Sequence, residues 1–117
     1  MHSKTTSYHS GLIGEFLARM YLRLHGFRIV CTRYITGRNT GRAEIDIIAR
    51  RGNLMIFVEV KRRPNIPAAW DAITATQGAR LRRAAENYIA RTGFRGDARF
   101  DVIIVTGYKI HWIQGAI

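Results

Sequence analysis

Glu59 and Lys61 stand two residues apart at the end of an apolar run, Met55-Ile56-Phe57-Val58-Glu59-Val60. Runs of this kind usually form strands buried on both faces. A lone carboxylate is expensive to bury there, so Glu59 needs a partner. Residues two apart in a strand share a face, which sets Lys61 beside it. Upstream, Glu44 and Asp46 lie on a second strand-like segment, residues 44–49, across a turn-forming Arg50-Arg51-Gly52-Asn53. With Ala49 opposite Leu54, Glu44 faces Glu59 and Asp46 faces Phe57. A bulge shifting the register by two sets Asp46 opposite Glu59 instead. Opposed residues point to the same face. In either register Glu44, Asp46, Glu59 and Lys61 gather on one face, and a one-residue slip would disturb the apolar pattern of both strands.

Clustered carboxylates repel unless a cation joins them, and the chain has only 8 acidic residues. Oxygen ligands of this type suit Mg²⁺ or Mn²⁺, with water and a phosphate oxygen filling the other positions. Lys61 would then assist the attacking water or hold the phosphate. The competing arrangement is a plain ion pair at a sheet end, Glu59 with Lys61 or with an arginine. The residue pattern alone leaves both open.

These side chains need elements to position them. Residues 1–9 read as a flexible, polar N-terminus, and residues 10–117 as a single domain. Ser10 is a candidate N-cap. Leu12, Ile13, Phe16, Leu17, Met20, Tyr21 and Leu24 recur at helical spacing, and Gly26 supplies a stop. Residues 27–35 alternate as a strand, and residues 36–43 form a basic, Gly-containing loop. After the hairpin, Pro64 and Pro67 break the chain. Thr74 and Gln77 have capping-box spacing. Leu81, Ala84, Ala85, Tyr88 and Ile89 give the second helix its buried stripe, and Gly93 ends it. Residues 100–105 and 110–113 close the chain as strands. The order α-β-β-β-α-β-β predicts an α/β fold, a mixed central sheet flanked by helices.

The chain has 117 residues, 47% of them apolar, with 19 Lys and Arg against 8 Asp and Glu. A domain of this size buries roughly two-thirds of its unfolded surface and folds without staples. The formal charge of +11 attracts polyanions: DNA, RNA or an anionic membrane. Glu15 and Arg19 interrupt the apolar stretch near the N-terminus, and no run of membrane length follows, so no membrane association is expected. Cys31 is the single cysteine, which excludes an intrachain disulfide and suits a reducing cytosol. His2, His9, His25 and His111 lack metal-ligand spacing. Arg38 and Arg42 precede the acidic cluster, and Arg62 and Arg63 follow it, well placed for substrate. Arg80, Arg82, Arg83 and Arg91 flank the stripe of the second helix, either as phosphate contacts or as a solvated face. Trp70 and Trp112 are expected in the core, and Asp101 in a structural salt bridge.

The segment GRAEIDIIARRGNLMIFVEVKRR, residues 41–63, resembles the core of the PD-(D/E)xK nuclease superfamily. More closely, the chain resembles the UPF0102 (YraN-like) family of bacterial proteins, predicted endonucleases related to archaeal Holliday junction resolvases. LIGEFLARMYLRLHGFRIV, EIDIIA, IFVEVKRR, ARLRRAAENYI and ARFDVIIV carry the likeness over almost the whole chain.

The resemblance implies a restriction-endonuclease-like fold with an αβββαβ core. It implies metal binding by Asp46, Glu59 and the Val60 backbone carbonyl, with Lys61 as the catalytic lysine. Glu44 matches the acidic residue two before the aspartate. Glu15 matches the first-helix glutamate that completes resolvase-like sites, whereas the helical pattern alone puts Glu15 on the solvent face, paired with Arg19. Two positions depart from the family: Ala43 replaces a usual Gly, and Gln77 a common Lys whose charge Arg80, Arg82 and Arg83 would supply.

The expected function is Mg²⁺- or Mn²⁺-dependent endonucleolytic hydrolysis of DNA, ahead of RNA, in the bacterial cytoplasm, with branched repair or recombination intermediates as substrates. Cutting both strands symmetrically needs two sites, so a homodimer is among the expected states. The rival expectation is a non-catalytic nucleic-acid-binding module, or an accessory protein of a repair complex.

Overall fold

The computed structural model of the chain describes residues 4–37 and 41–117. The elements are α1 (Lys4–Leu24), β1 (Arg28–Thr36), β2 (Ala43–Arg51), β3 (Leu54–Arg62), α2 (Ile66–Asp71), α3 (Ala75–Thr92), β4 (Asp97–Thr106) and β5 (Lys109–Ile113). The strands form one sheet in the order β1-β2-β3-β4-β5. β3 and β4 run parallel, and every other neighbouring pair is antiparallel. This is the expected mixed α/β sheet flanked by helices, consistent with a restriction-endonuclease-like core. No described helix is long and apolar enough to cross a membrane.

One sheet face packs on α1, where Ala18 and Leu22 meet Ile47, Ala49, Ile56, Val58, Ile103 and Val105. The other face packs on α3 and α2. There Leu81, Ala84, Ala85 and Tyr88 cover Ile45, Ile48, Met55 and Phe57, and Ala69 covers Val102 and Ile104. Both faces of β3 are therefore dry, as its unbroken apolar run predicts.

Three expectations change. Helix α1 starts at Lys4, so Ser10 lies inside it rather than capping it, and residues 4–9 of the supposed flexible start are helical. Extending a helix costs far less than nucleating one, and residues 4–10 hold no Pro or Gly to stop it.

The buried stripe of α1 is also different. Ile13, Phe16, Met20 and Leu24 are exposed, while Ala18 and Leu22 are fully buried. Gly14 lies on the same buried line, and a Cβ there would sit 3.1 Å from the Arg62 Cβ. The helix approaches the sheet through its small residues.

Finally, Pro67 does not simply break the chain. It sits in the first turn of α2, where a missing N–H costs nothing. The Ala68 N–H donates to Asn65 Oδ1 at 2.8 Å, capping that helix.

Asp101 is fully buried yet well partnered. It accepts from Arg99 Nε (2.8 Å), an Arg99 terminal nitrogen (2.9 Å), Trp112 Nε1 (2.9 Å) and the Gly115 N–H (3.0 Å). It ties β4 to β5 and the C-terminal turn, the structural role expected of it. Asp101→Ala should cost about 3 kcal/mol, because it strands those donors. Urea unfolding checks this, and a loss below about 1 kcal/mol would contradict the hub role.

Candidate active site

The β2–β3 hairpin turns on Gly52 and Asn53 alone, with Gly52 at φ +59°. Ala49 therefore pairs with Ile56, not Leu54, and the last recorded pair of this ladder is Ile47 with Val58. This corrects the four-residue turn and its register and selects the alternative that brings Asp46 level with Glu59. Beyond Ile47, a side chain takes over from the backbone ladder: the Val60 N–H donates to Asp46 Oδ2 at 2.8 Å.

Simple alternation does not assemble the acidic group. Ile45 packs on the α3 side of the sheet and Ile47 on the α1 side, although they are two residues apart. The face switches at Asp46. Glu44 thus points away from the face of its neighbours Ala43 and Ile45, which pack toward α3, whereas Glu59 shares the face of Met55 and Phe57, which also pack there. The expected single shared face is replaced by a cleft at the sheet end. A cavity of about 390 Å³ opens there, and Glu15, Glu44, Asp46, Glu59, Val60 and Lys61 all line it.

The electrostatics of this cleft are unusual. Glu59 is buried, and its Oε1 lies 3.1 Å from Lys61 Nζ. Burial nevertheless pushes its carboxyl above the usual range, with Lys61 opposing. Asp46 is pushed up to about 8, first by burial, then by the charge of Glu59 and to a lesser degree that of Glu15. The Val60 N–H and Lys61 pull in the other direction. Strong desolvation beside specific charges, within a cleft, marks these residues as a candidate functional site.

The outer carboxylates each face a cation. Arg33 Nε donates to Glu15 Oε1 at 3.1 Å. An Arg42 terminal nitrogen stands 3.8 Å from Glu44 Oε2. Consequently no three Asp, Glu, His or Cys side chains among the described residues form a ready-made metal cage. The donor chemistry still fits a hard divalent ion. Asp46 and Glu59 offer carboxyl oxygens, and burial raises both of them by more than Lys61 offsets, so a cation between them would favour their charged forms.

The expected Glu15–Arg19 surface pair is not formed. Glu15 borders the buried line of α1, its side chain is 16% exposed, and its partner is Arg33 on β1. The Arg19 guanidinium sits over Phe16 instead. Arg33 is a residue that sequence reasoning missed. Gln77 is a second one in part, noted only as a departure from the family. Its backbone N–H donates to Thr74 Oγ1 at 3.1 Å, one half of the expected capping box. Its side chain goes to the site instead: with the amide oriented so that both of its groups find complementary partners, the oxygen accepts from Lys61 Nζ at 3.0 Å, and the nitrogen donates to the Ala72 carbonyl at 2.9 Å.

Among the arginines singled out for substrate contact, Arg42, Arg62, Arg63 and Arg80 rim the cavity. Arg82 stacks over Phe100 and lines a different cleft, with Trp70 and Ile73. Arg83 donates to the Gly41 carbonyl at 2.8 Å. Arg38 lies outside the described residues.

The comparisons with known proteins agree with one another. The profile described as "Uncharacterised protein family UPF0102" matches residues 14–105. A UPF0102 protein of Paramagnetospirillum magneticum is 37% identical over 102 residues, covering 86% of this chain and 79% of that protein. One from Rhizobium etli is 41% identical over 102 residues, covering 86% and 80%. One from Mesorhizobium japonicum is 38% identical over 109 residues, covering 92% and 84%. These relatives are bacterial, and the match spans the second half of α1, the hairpin, α3 and most of β4, so this chain belongs to the uncharacterised protein family UPF0102.

Proposed function

We propose that this chain is a PD-(D/E)xK-type nuclease of the bacterial cytoplasm that hydrolyses phosphodiester bonds in DNA, with branched repair or recombination intermediates as its substrates. One observation carries the reading. Asp46 and Glu59, two carboxyls with raised pKa, meet Lys61 in an open cleft rimmed by Arg42, Arg62, Arg63 and Arg80. A structural ion pair would leave no reason for the second desolvated carboxyl, the cavity or the arginines that line it.

Asp46, Glu59 and the Val60 carbonyl, with Glu15 and Glu44 on the same cavity wall, would hold a Mg²⁺ or Mn²⁺ ion, which would supply Lewis acidity toward a phosphate and acidify water. The chain's own groups do the rest. The Val60 N–H fixes one Asp46 oxygen and leaves the other for the cleft. Gln77 and Glu59 engage two of the three Lys61 N–H bonds, which leaves the third as a donor available to a phosphate in the cleft. Lys61 then meets charge developing on the phosphate oxygens. The rim arginines bind the flanking phosphates and set the register of the strand without reading its sequence.

A panel of labelled branched and linear DNAs and RNAs, incubated with Mg²⁺, Mn²⁺ or EDTA, tests this directly. Metal-dependent cleavage of a DNA is the expected result, and no cleavage across the panel sinks the reading. Binding should be mostly electrostatic. With 19 Lys and Arg and about six phosphate contacts, affinity should fall by about 1,000-fold between 50 and 200 mM salt, with little sequence preference. A flat salt response in an anisotropy titration would contradict the phosphate-binding rim.

A further inference from the structure

We propose that Arg33 is a positioning residue that holds Glu15 in the cleft as a ligand arm for the divalent cation. The inference rests on the metal-site reading above, and it concerns a residue on the edge strand β1 that does not line the cavity.

The backbone singles Arg33 out. It lies within β1 at φ +52°, the only positive φ at a non-glycine among the described residues. An L-residue with a long side chain adopts this conformation at a cost, and such strain persists where surrounding structure imposes it. Its neighbours show what the strain does. Thr32 pairs with Ile47 and Tyr34 with Ile45, so Arg33 falls level with Asp46. Cys31 and Tyr34 both pack toward α3 although they are three positions apart. The faces of β1 and β2 therefore switch at the same rung. The left-handed turn of Arg33 matches the break at Asp46 and sends the guanidinium to the α1 side, where Glu15 is.

The contact is monodentate. Arg33 Nε donates to Glu15 Oε1 at 3.1 Å, and the other Glu15 oxygen has no partner among the described residues. Glu15 reaches the cavity wall, and its charge raises Asp46. Arg33 is the more exposed of the pair, with 43% of its side chain accessible against 16% for Glu15. A surface guanidinium thus neutralises part of a partly buried carboxylate from outside and fixes its rotamer. That lowers the repulsion Glu15 would otherwise exert on Asp46 before a cation arrives. Orienting a ligand through its far oxygen is worth roughly 10- to 100-fold in metal affinity.

The test is a calorimetric Mn²⁺ titration, with metal-free melting measured on the same variants. Arg33→Gly accepts the positive φ but removes the guanidinium. It should melt close to the parent and bind Mn²⁺ roughly 10- to 100-fold more weakly. Arg33→Lys, which keeps the charge, should recover part of the affinity. Glu15→Gln should lose as much affinity as Arg33→Gly, and the double variant should lose little more, because both act through one contact. That cycle holds even if the glycine variant folds poorly, since Arg33→Gln can replace it. Parental Mn²⁺ affinity in Arg33→Gly and Arg33→Gln, or additive losses in the cycle, overturns the proposal. Asp46→Asn separates the two failures. If it abolishes Mn²⁺ binding while the Arg33 variants do not weaken it, only the role of Arg33 falls. If Asp46→Asn binds Mn²⁺ like the parent, the metal site itself falls.

Discussion

Lys61→Met is expected to slow cleavage by roughly 100- to 1,000-fold at saturating substrate while barely changing nucleic-acid affinity. Lys61 is one cation among 19 Lys and Arg, so its share of the electrostatic attraction is small. In the proposed mechanism, by contrast, Lys61 meets charge that develops only as the phosphate reacts, and a contact made only then appears in the rate and not in binding. The substitution also frees Glu59 Oε1 from its 3.1 Å ion pair. Mn²⁺ should therefore bind Lys61→Met at least as tightly as the parent, which rules out simple loss of the site as the cause of slow cleavage. Arg63→Ala combined with Arg80→Ala should show the opposite pattern, with weaker binding and a nearly parental rate at saturation. Single-turnover kinetics beside binding isotherms decide between them. If Lys61→Met cleaves at the parental rate, the nuclease mechanism fails, and a non-catalytic nucleic-acid-binding module becomes the better account.

The strand carrying Glu59 and Lys61 was legible because its apolar run has one meaning: a strand dry on both faces. Helix α3 was legible for a similar reason, its ends marked by Thr74 and by Gly93 at φ +70°. What the pattern hid was geometry set by small or unremarkable residues. Helix α1 presents Gly14 and Ala18 to the sheet, while its larger apolar side chains Phe16 and Met20 stay exposed. Reading the large residues as the buried stripe rotates the helix and sends Glu15 to solvent. The turn was misjudged because Arg50 and Arg51 look like loop residues, although their backbones continue the ladder opposite Met55 and Leu54. Arg33 carried no signal. A left-handed position in a strand is announced by Gly or Asn, and an arginine there is held by its surroundings. The acidic cluster itself was found by parity, yet the structure assembles it through a break in parity at Asp46.

That break leaves Asp46 paying a cost in the metal-free protein, and the sign of the cost can be tested. Its carboxyl is pushed up to about 8, whereas an unfolded chain has an Asp pKa of about 3.9. Between those values the folded protein keeps a proton that the unfolded chain has lost. The stabilising effect of that proton uptake is fully present below about pH 4 and is lost as pH rises toward 8. Metal-free protein should therefore melt lower at pH 8 than at pH 6. Asp46→Asn keeps the side-chain oxygen that accepts from the Val60 N–H and deletes the charge. It should raise the melting temperature in EDTA at pH 8 by about 5 °C, with a smaller gain at pH 6. Saturating Mn²⁺ should reverse the order. The parent gains about 2.7 kcal/mol at a metal concentration 100 times the dissociation constant, while the asparagine variant has lost the ligand that makes binding possible. The two melting curves should then cross on adding metal, with the inactive protein more stable without it and less stable with it. An asparagine variant no more stable than the parent in EDTA at pH 8 would mean that Asp46 is not strained, and a variant stabilised by Mn²⁺ as much as the parent would remove Asp46 from the metal site. The crossing is the outcome expected of a carboxylate kept at a local cost in stability for the cation it binds.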